Sequence, residues 1–272
     1  MSLSKQLRIA HLSPALWRVT FDNPPINLLN PDTIGELRDL ITAMESETQL
    51  KVVVFDSANP DYFIAHYDIT RAGEPMPPPG PTGLPPWTDF TVRLAETPVV
   101  SIAAVRGRAR GVGNEFLLAC DLRFASLERA IFGQPEVAVG VVPGGGAVDR
   151  LPLLLGRARA LELLLGSDDL DAATAERYGL VNRALPDKDL DRFVDRLAMR
   201  IAGFDKPALA TVKALVNRHS LPAPGDLLAA TEAFRQSLAW EGVGRRVASL
   251  LARGLSKPGE FELNLGEHIG AP

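Results

Sequence analysis

Two short apolar runs constrain the architecture of this chain more than any other feature. Residues 51–55 read Lys-Val-Val-Val-Phe, and residues 99–105 read Val-Val-Ser-Ile-Ala-Ala-Val. Both are β-branched and neither alternates with polar residues, the mark of a strand covered on both faces. Around them lie segments with helical spacing. Asn30-Pro31-Asp32 opens a helix in which Ile34, Leu37, Ile41 and Met44 recur at steps of three and four. Residues 16–21 alternate with period two and meet the turn signal Asn23-Pro24-Pro25. Residues 122–125 and 130–132 read as two more strands. Beyond about residue 142 the strands thin out, and the spacing predicts helices over 157–165, 187–201, 207–219 and 226–240. One further helix is capped by Asp171 and ended by Gly179. The fold class is therefore α/β, with a core followed by a helical C-terminal section.

Charge and cysteine usage narrow the function. The chain has 272 residues, with 29 Lys plus Arg against 33 Asp plus Glu, for a net charge of −4. That balance argues against a dedicated nucleic-acid binder, which needs a dominant basic face. The single cysteine, Cys120, excludes an internal disulfide and a cysteine-based zinc cluster. No apolar run reaches the roughly 18 residues of a membrane span, and residues 1–8 lack the apolar core of a signal peptide. A soluble cytoplasmic protein without a membrane partner is expected. His11, His66, His219 and His268 are scattered, so no metal site is expected. Gly-x-Ser-x-Gly and Gly-Lys-Ser/Thr are absent, and Gly144-Gly145-Gly146 does not have the spacing of a dinucleotide fingerprint.

Residues 75–86 hold seven prolines and cannot be helix interior or central strand. Such a stretch is either a surface loop or the wall of a ligand site. Trp87, just after it, serves packing or ligand contact.

The sharpest segment runs from Val105 to Asp121. A strand ends near Val105, small residues dominate the turn, and a helix begins near Val112. Glycine lets a ligand approach the backbone, and the first N–H groups of a helix have no internal partner. Together they form a ready site for a developing oxyanion. Glu115 sits in the first turn of that helix, where an acidic residue also simply complements the helix dipole. A second carboxylate, Glu136, follows in Phe132-Gly133-Gln134-Pro135-Glu136. A third segment, Tyr62-Phe63-Ile64-Ala65-His66-Tyr67-Asp68-Ile69, follows the 51–55 strand. Arg106, Arg108 and Arg110 alternate, as residues on one face of an extended segment do, and would meet phosphates or form a solvated edge. Cys120 reads as a buried packing residue.

In this order the segments resemble the crotonase superfamily, the enoyl-CoA hydratase/isomerase family, over nearly the whole chain. Residues 63–69 resemble Phe-x-Ala-Gly-x-Asp-Leu. Gly107-x-Ala109-x-Gly111-Val112-Gly113-x-Glu115, then Ala119-Cys120-Asp121, resembles Gly-x-Ala-x-Gly-Gly-Gly-x-Glu…Ala-Cys-Asp. Phe132 to Glu136, then Pro143-Gly144, resembles Phe-x-x-Pro-Glu…Pro-Gly. Arg157-Ala158-Arg159-Ala160 and residues 170–182 resemble the family's downstream stretch. The departures are His66 and Tyr67 where small residues are usual, and Val112 in place of a glycine.

The resemblance implies a crotonase-type spiral of ββα repeats over residues 1–203. It also implies a helical C-terminal region over 204–272 used in forming a homotrimer or a dimer of trimers. It implies a coenzyme A thioester, an enoyl-CoA or acyl-CoA, as substrate, with no separate cofactor. Carried over by position, the backbone N–H groups of Ala65 and Val112 would form the oxyanion hole. Glu115 would activate water, and Glu136 would exchange the proton at C2. Ile64, Ala65, His66, Tyr67, Asp68, Gly111 and Gly113 would bind the substrate. The expected activity is enoyl-CoA hydration. A Δ3–Δ2 isomerase or acyl-CoA hydrolase on the same oxyanion hole is one alternative, and a non-catalytic acyl-CoA-binding or interaction protein is another.

Overall fold

Strands β1 (Leu7–Ser13) and β2 (Leu16–Phe21) form an antiparallel hairpin at one edge of a large sheet. The structure, a computed structural model, describes residues 5–270; residues 1–4 of the N-terminal segment considered above, and residues 271–272, lie outside the described residues. Helix α1 (Pro31–Ser46) starts where expected. The Asn30 side chain accepts the N–H groups of Asp32 and Thr33, which have no partner inside the helix.

Three ββα units follow. The first is β3 (Val52–Ser57), β4 (Tyr62–Ile64) and α2 (Pro86–Glu96). The second is β5 (Val100–Val105), β6 (Arg108–Arg110) and α3 (Val112–Ala119). The third is β7 (Leu122–Ser126), β8 (Ile131–Gly133) and α4 (Glu136–Val139). Then come α5 (Ala147–Leu155), α6 (Arg157–Gly166), β9 (Asp169–Asp171), α7 (Ala172–Tyr178), β10 (Arg183–Leu185) and α8 (Asp187–Ala202). The chain continues through α9 (Lys206–Ser220), α10 (Pro224–Ser237), α11 (Val243–Arg253), α12 (Glu260–Leu263) and α13 (Leu265–Ile269).

The first strand of each unit enters a six-stranded sheet of order β1-β2-β3-β5-β7-β10, parallel apart from the β1–β2 hairpin. The second enters a four-stranded sheet of order β4-β6-β8-β9, in which only β9 is antiparallel. This is the spiral of ββα units that the resemblance implied. The turn from β5 to β6 requires glycine. Gly107 has φ +70°, and a Cβ there would lie 2.2 Å from the Asp61 backbone.

The unalternating strands are buried on both faces, as their composition required. Val53, Phe55, Ala103 and Val105 face a core shared with α1, α2 and α3. Val52, Val54, Ile102 and Ala104 face Leu190, Val194 and Ala198 of α8. In the first core four phenylalanines surround Phe116 of α3. Phe116 lies 5.1 Å from Phe21, 5.0 Å from Phe55, 6.1 Å from Phe63 and 6.0 Å from Phe90, between ring centroids. The residue just before this anchor is Glu115.

The predicted elements of the core are present within one or two residues. The prolines before α2 hid that helix, although Pro86 occupies its permissive first turn. Among the described residues no helix is long and apolar enough to cross a membrane.

Candidate active site

The two predicted carboxylates, Glu115 and Glu136, line one cavity of about 530 Å³. Glu115 is 4% exposed. Its Oε1 accepts the N–H of Gly145 at 2.8 Å and of Ala147 at 3.3 Å, so the glycine run before α5 holds it. Burial pushes its pKa up to about 7, against the pull of those amides and of the Arg150 charge. Gly145 must be glycine here. A Cβ on it would lie 2.0 Å from Glu115 Oε2 and 2.5 Å from the Trp87 indole nitrogen. Trp87 in turn donates to the Gly145 carbonyl at 3.3 Å and lines the cavity.

Glu136 opens α4 and is more loosely held. Its Oε2 accepts from Gln134 Nε2 at 3.1 Å, and Asn114 orients that amide by donating to Gln134 Oε1 at 2.9 Å. Burial, then the charge of Glu115, pushes the Glu136 pKa up to about 8. Two carboxyl groups coupled this way share one proton near neutral pH.

The oxyanion segments lie side by side. A Cβ on Gly113 would meet the Ile64 carbonyl at 2.4 Å, and one on Gly111 would lie 2.8 Å from Glu136 Oε1 and 3.9 Å from His66 Cβ. The Val112 N–H, at the start of α3, has no partner among the described residues. For Ala65 the expectation is corrected: its N–H donates to the Asn27 carbonyl at 3.3 Å. Among the described residues the next two amides of the segment, those of His66 and Tyr67, have no partner. Leu29 orients the second. It donates to the His66 carbonyl at 2.9 Å and accepts from Asp68 N–H at 2.8 Å. Peptides are planar and trans, so a His66 carbonyl held by Leu29 turns the Tyr67 N–H the opposite way. The sequence pattern located the segment, but the bonds from Ala65 to Asn27 and around Tyr67 to Leu29 join residues far apart in the chain.

Of the expected substrate-binding positions, His66, Tyr67 and Gly111 line the cavity together with Val112. Ile64 and Ala65 are buried in the core instead. Gly113 serves the close approach of β4, and Asp68 caps the turn at Ile69–Arg71 by accepting from Thr70 N–H at 3.0 Å. The three arginines are engaged by the protein itself, with Arg106 and Arg108 half-buried and Arg110 buried. Arg106 pairs with Asp187 and Asp191, Arg108 donates to the Leu263 carbonyl, and Arg110 pairs with Asp169 at 2.6 Å. The proline-rich stretch is a wall: Met76, Pro85 and Pro86 border the cavity. Cys120 is buried, and burial pushes its thiol up to about 12, so it serves packing.

The rest of the cavity wall was not anticipated. Phe234 and Leu238, Val243 and Val247 of α11, Leu255, and Leu265 and Ile269 of α13 close it. Among the described residues no cluster of His, Cys, Asp or Glu is arranged to hold a metal ion. A second hollow of about 470 Å³ is lined by Arg18, Asp56, Arg106, Asp191 and Asp195, whose charges pair with one another.

Comparison with known proteins agrees with this geometry. The sequence profile of the enoyl-CoA hydratase/isomerase family matches residues 12–237. The chain belongs to the enoyl-CoA hydratase/isomerase family. Within the crotonase superfamily it is 34% identical over 203 residues to a crotonyl-CoA hydratase of Syntrophomonas wolfei, covering 73% of this chain and 77% of that protein. It is equally 34% identical over 203 residues to a short-chain-enoyl-CoA hydratase of Clostridium acetobutylicum, covering 74% and 77%. The crystal structure of a candidate enoyl-CoA hydratase from Streptomyces avermitilis superposes with a TM-score of 0.92 at 43% identity, covering 100% of this chain and 99% of that one. In this family member Glu115, Glu136, Tyr67 and Val112 border one cavity.

Proposed function

We propose that the protein adds water across the C2=C3 bond of an enoyl-CoA thioester. The observation that carries this reading is the Glu115–Glu136 pair, poised near neutral pH on the cavity that the Tyr67 and Val112 amides border. The thioester oxygen accepts from both amides, which stabilise the enolate as charge develops. Ionised Glu115 takes a proton from water as its oxygen bonds to C3. Protonated Glu136 gives its proton to C2. The pair holds one proton before and after, moved from Glu136 to Glu115. Coenzyme A enters as part of the substrate, and this acid–base chemistry asks for no separate cofactor.

The acyl group is apolar on this reading, because Ile69, Val139, Val141, Phe234, Val247 and Leu265 form much of the wall. Assembly as a trimer or a dimer of trimers belongs to the same proposal. It is supported by α9, which buries none of its residues and exposes Val212, Leu215 and Val216. A cytoplasmic setting goes with it.

A panel of enoyl-CoA and acyl-CoA thioesters, from crotonyl to longer chains, tests the activity. Hydration with kcat/KM rising with chain length is expected. Exchange of C2 protons with deuterium from solvent, without hydration, would replace this reading with an isomerase. Binding without any turnover would replace it with an acyl-CoA-binding protein.

A further inference from the structure

His66 stands where the resemblance led one to expect glycine, and its ring is fully engaged. The side chain is 5% exposed. Nδ1 lies 2.7 Å from the Tyr67 carbonyl, and Nε2 lies 3.3 Å from Glu262 Oε2 and 3.2 Å from Oε1. A carbonyl can only accept, and so can an ionised carboxylate. With Glu262 ionised, two acceptors require a hydrogen on each ring nitrogen, which makes the ring an imidazolium. Glu262 comes from α12 and is fully buried. It is pinned by Ser256 N–H on Oε2 at 2.9 Å and by Arg110, which donates to its carbonyl at 2.7 Å.

We propose that His66 is a positioning residue, held as an imidazolium by Glu262 of α12, that fixes the Tyr67 backbone for the developing enolate. The proposal rests on the hydratase reading and deepens it. Leu29 fixes the peptide that carries the Tyr67 N–H, and the imidazolium fixes the next one through its carbonyl. Tyr67 is thus clamped on both sides, and a positive charge sits on the segment where the substrate oxygen becomes negative.

The surrounding charges agree. Burial opposes the charged ring, but the hydrogen bond and charge of Glu262 and the Tyr67 carbonyl outweigh it, and the His66 pKa is raised. The Glu262 pKa is lowered despite burial, through His66 and Ser256 N–H. Arg110 of β6 opposes the imidazolium, with its own charge met by Asp169. The other titratable groups nearby are Tyr62 of β4, whose own pKa the Glu262 charge helps raise, Asp68 next in the segment, and Glu136 across Gly111.

The test uses 15N-histidine NMR of the full chain without substrate, with the His66 signals assigned by their loss in His66→Asn. The pH at which the two His66 nitrogens leave imidazolium shifts is expected above that of an ordinary imidazole, and lower in Glu262→Gln than in the wild type. A wild-type His66 that loses its proton at or below the pH of an ordinary imidazole overturns the proposal. Kinetics on crotonyl-CoA form the second arm. Glu262→Gln is expected to lower kcat about tenfold, about 1.4 kcal/mol of transition-state stabilisation, with KM changed less than about twofold. A variant with a neutral His66 and an unchanged kcat overturns the positioning role. If Glu262→Gln does not fold, the wild-type spectrum and the kcat of His66→Asn decide. If the wild type turns over no thioester at all, the hydratase reading fails, while the charge state of His66 is still read directly from the spectrum.

Discussion

The two acids of the site are built in opposite ways. Glu115 rides on a helix whose next residue, Phe116, is locked among aromatic rings, and its carboxylate is held by two backbone amides. Arg150, a buried guanidinium on α5, adds charge that favours its ionised form. Glu136 opens a helix of only four residues and is held by one neutral side-chain amide. Amide donors lower a carboxyl pKa and a neighbouring anion raises it. The stiffly held acid therefore ionises first, near 7, and the loosely held one keeps its proton to near 8. On the proposed mechanism, rigidity goes with the base that aims a water, and freedom with the acid that must follow a carbon changing its geometry.

Replacing either acid should have the largest effect. Glu115→Gln and Glu136→Gln should each lower kcat by about 10³-fold, the range of a lost general acid or base. Only Glu136→Gln should also abolish deuterium exchange at C2, as followed by NMR of the saturated thioester. Equal loss of exchange in both variants would erase the division of roles.

Displacing the rigid acid without removing it comes next. Gly145→Ala places a methyl group 2.0 Å from Glu115 Oε2. A shift of about 1 Å in a reacting group costs about 10²-fold. Steady-state kinetics should show that loss in kcat with little change in KM. A normal kcat would mean that Glu115 tolerates the freedom ascribed here to its partner.

The pH profile should be bell-shaped. Below about pH 7 Glu115 gains a proton and can no longer act as base, and above about pH 8 Glu136 loses the proton it must give. A plateau extending to pH 10 in kcat would show that Glu136 is not the acid. The smallest effect is expected from Gln134→Ala, about threefold in kcat, the worth of one neutral hydrogen bond. Loss of a donor to the ionised carboxylate raises the Glu136 pKa, so the alkaline limb should move up.

The parts that were legible in the sequence are those set by local rules. The strands around Val53 and Ile102 announced their burial by lacking alternation, and Glu115 and Glu136 sat in recognisable turns. The parts that were not legible depend on partners distant in the chain. The strands β4, β6, β9 and β10 hold three residues each, too few to show a period. Ala65 and Tyr67 look equally able to offer an amide until Asn27 and Leu29 engage the backbone around them. Gln134 and Asn114 gave no signal, because a neutral amide is usually a surface residue. Helix α11 did leave one, since Val243, Val247, Leu250 and Leu251 recur at helical spacing. What that spacing does not reveal is that the stripe roofs the cavity.

That roof has a consequence for how the protein is made. Nascent chains fold from the N-terminus as synthesis proceeds. The acids and amides of residues 65–147 can assemble early, but Glu262 is 196 residues downstream of the histidine it charges. A ribosome-bound chain can therefore own both glutamates and still lack a closed chamber around them. On the proposed mechanism, closure of the chamber follows the placing of its acids.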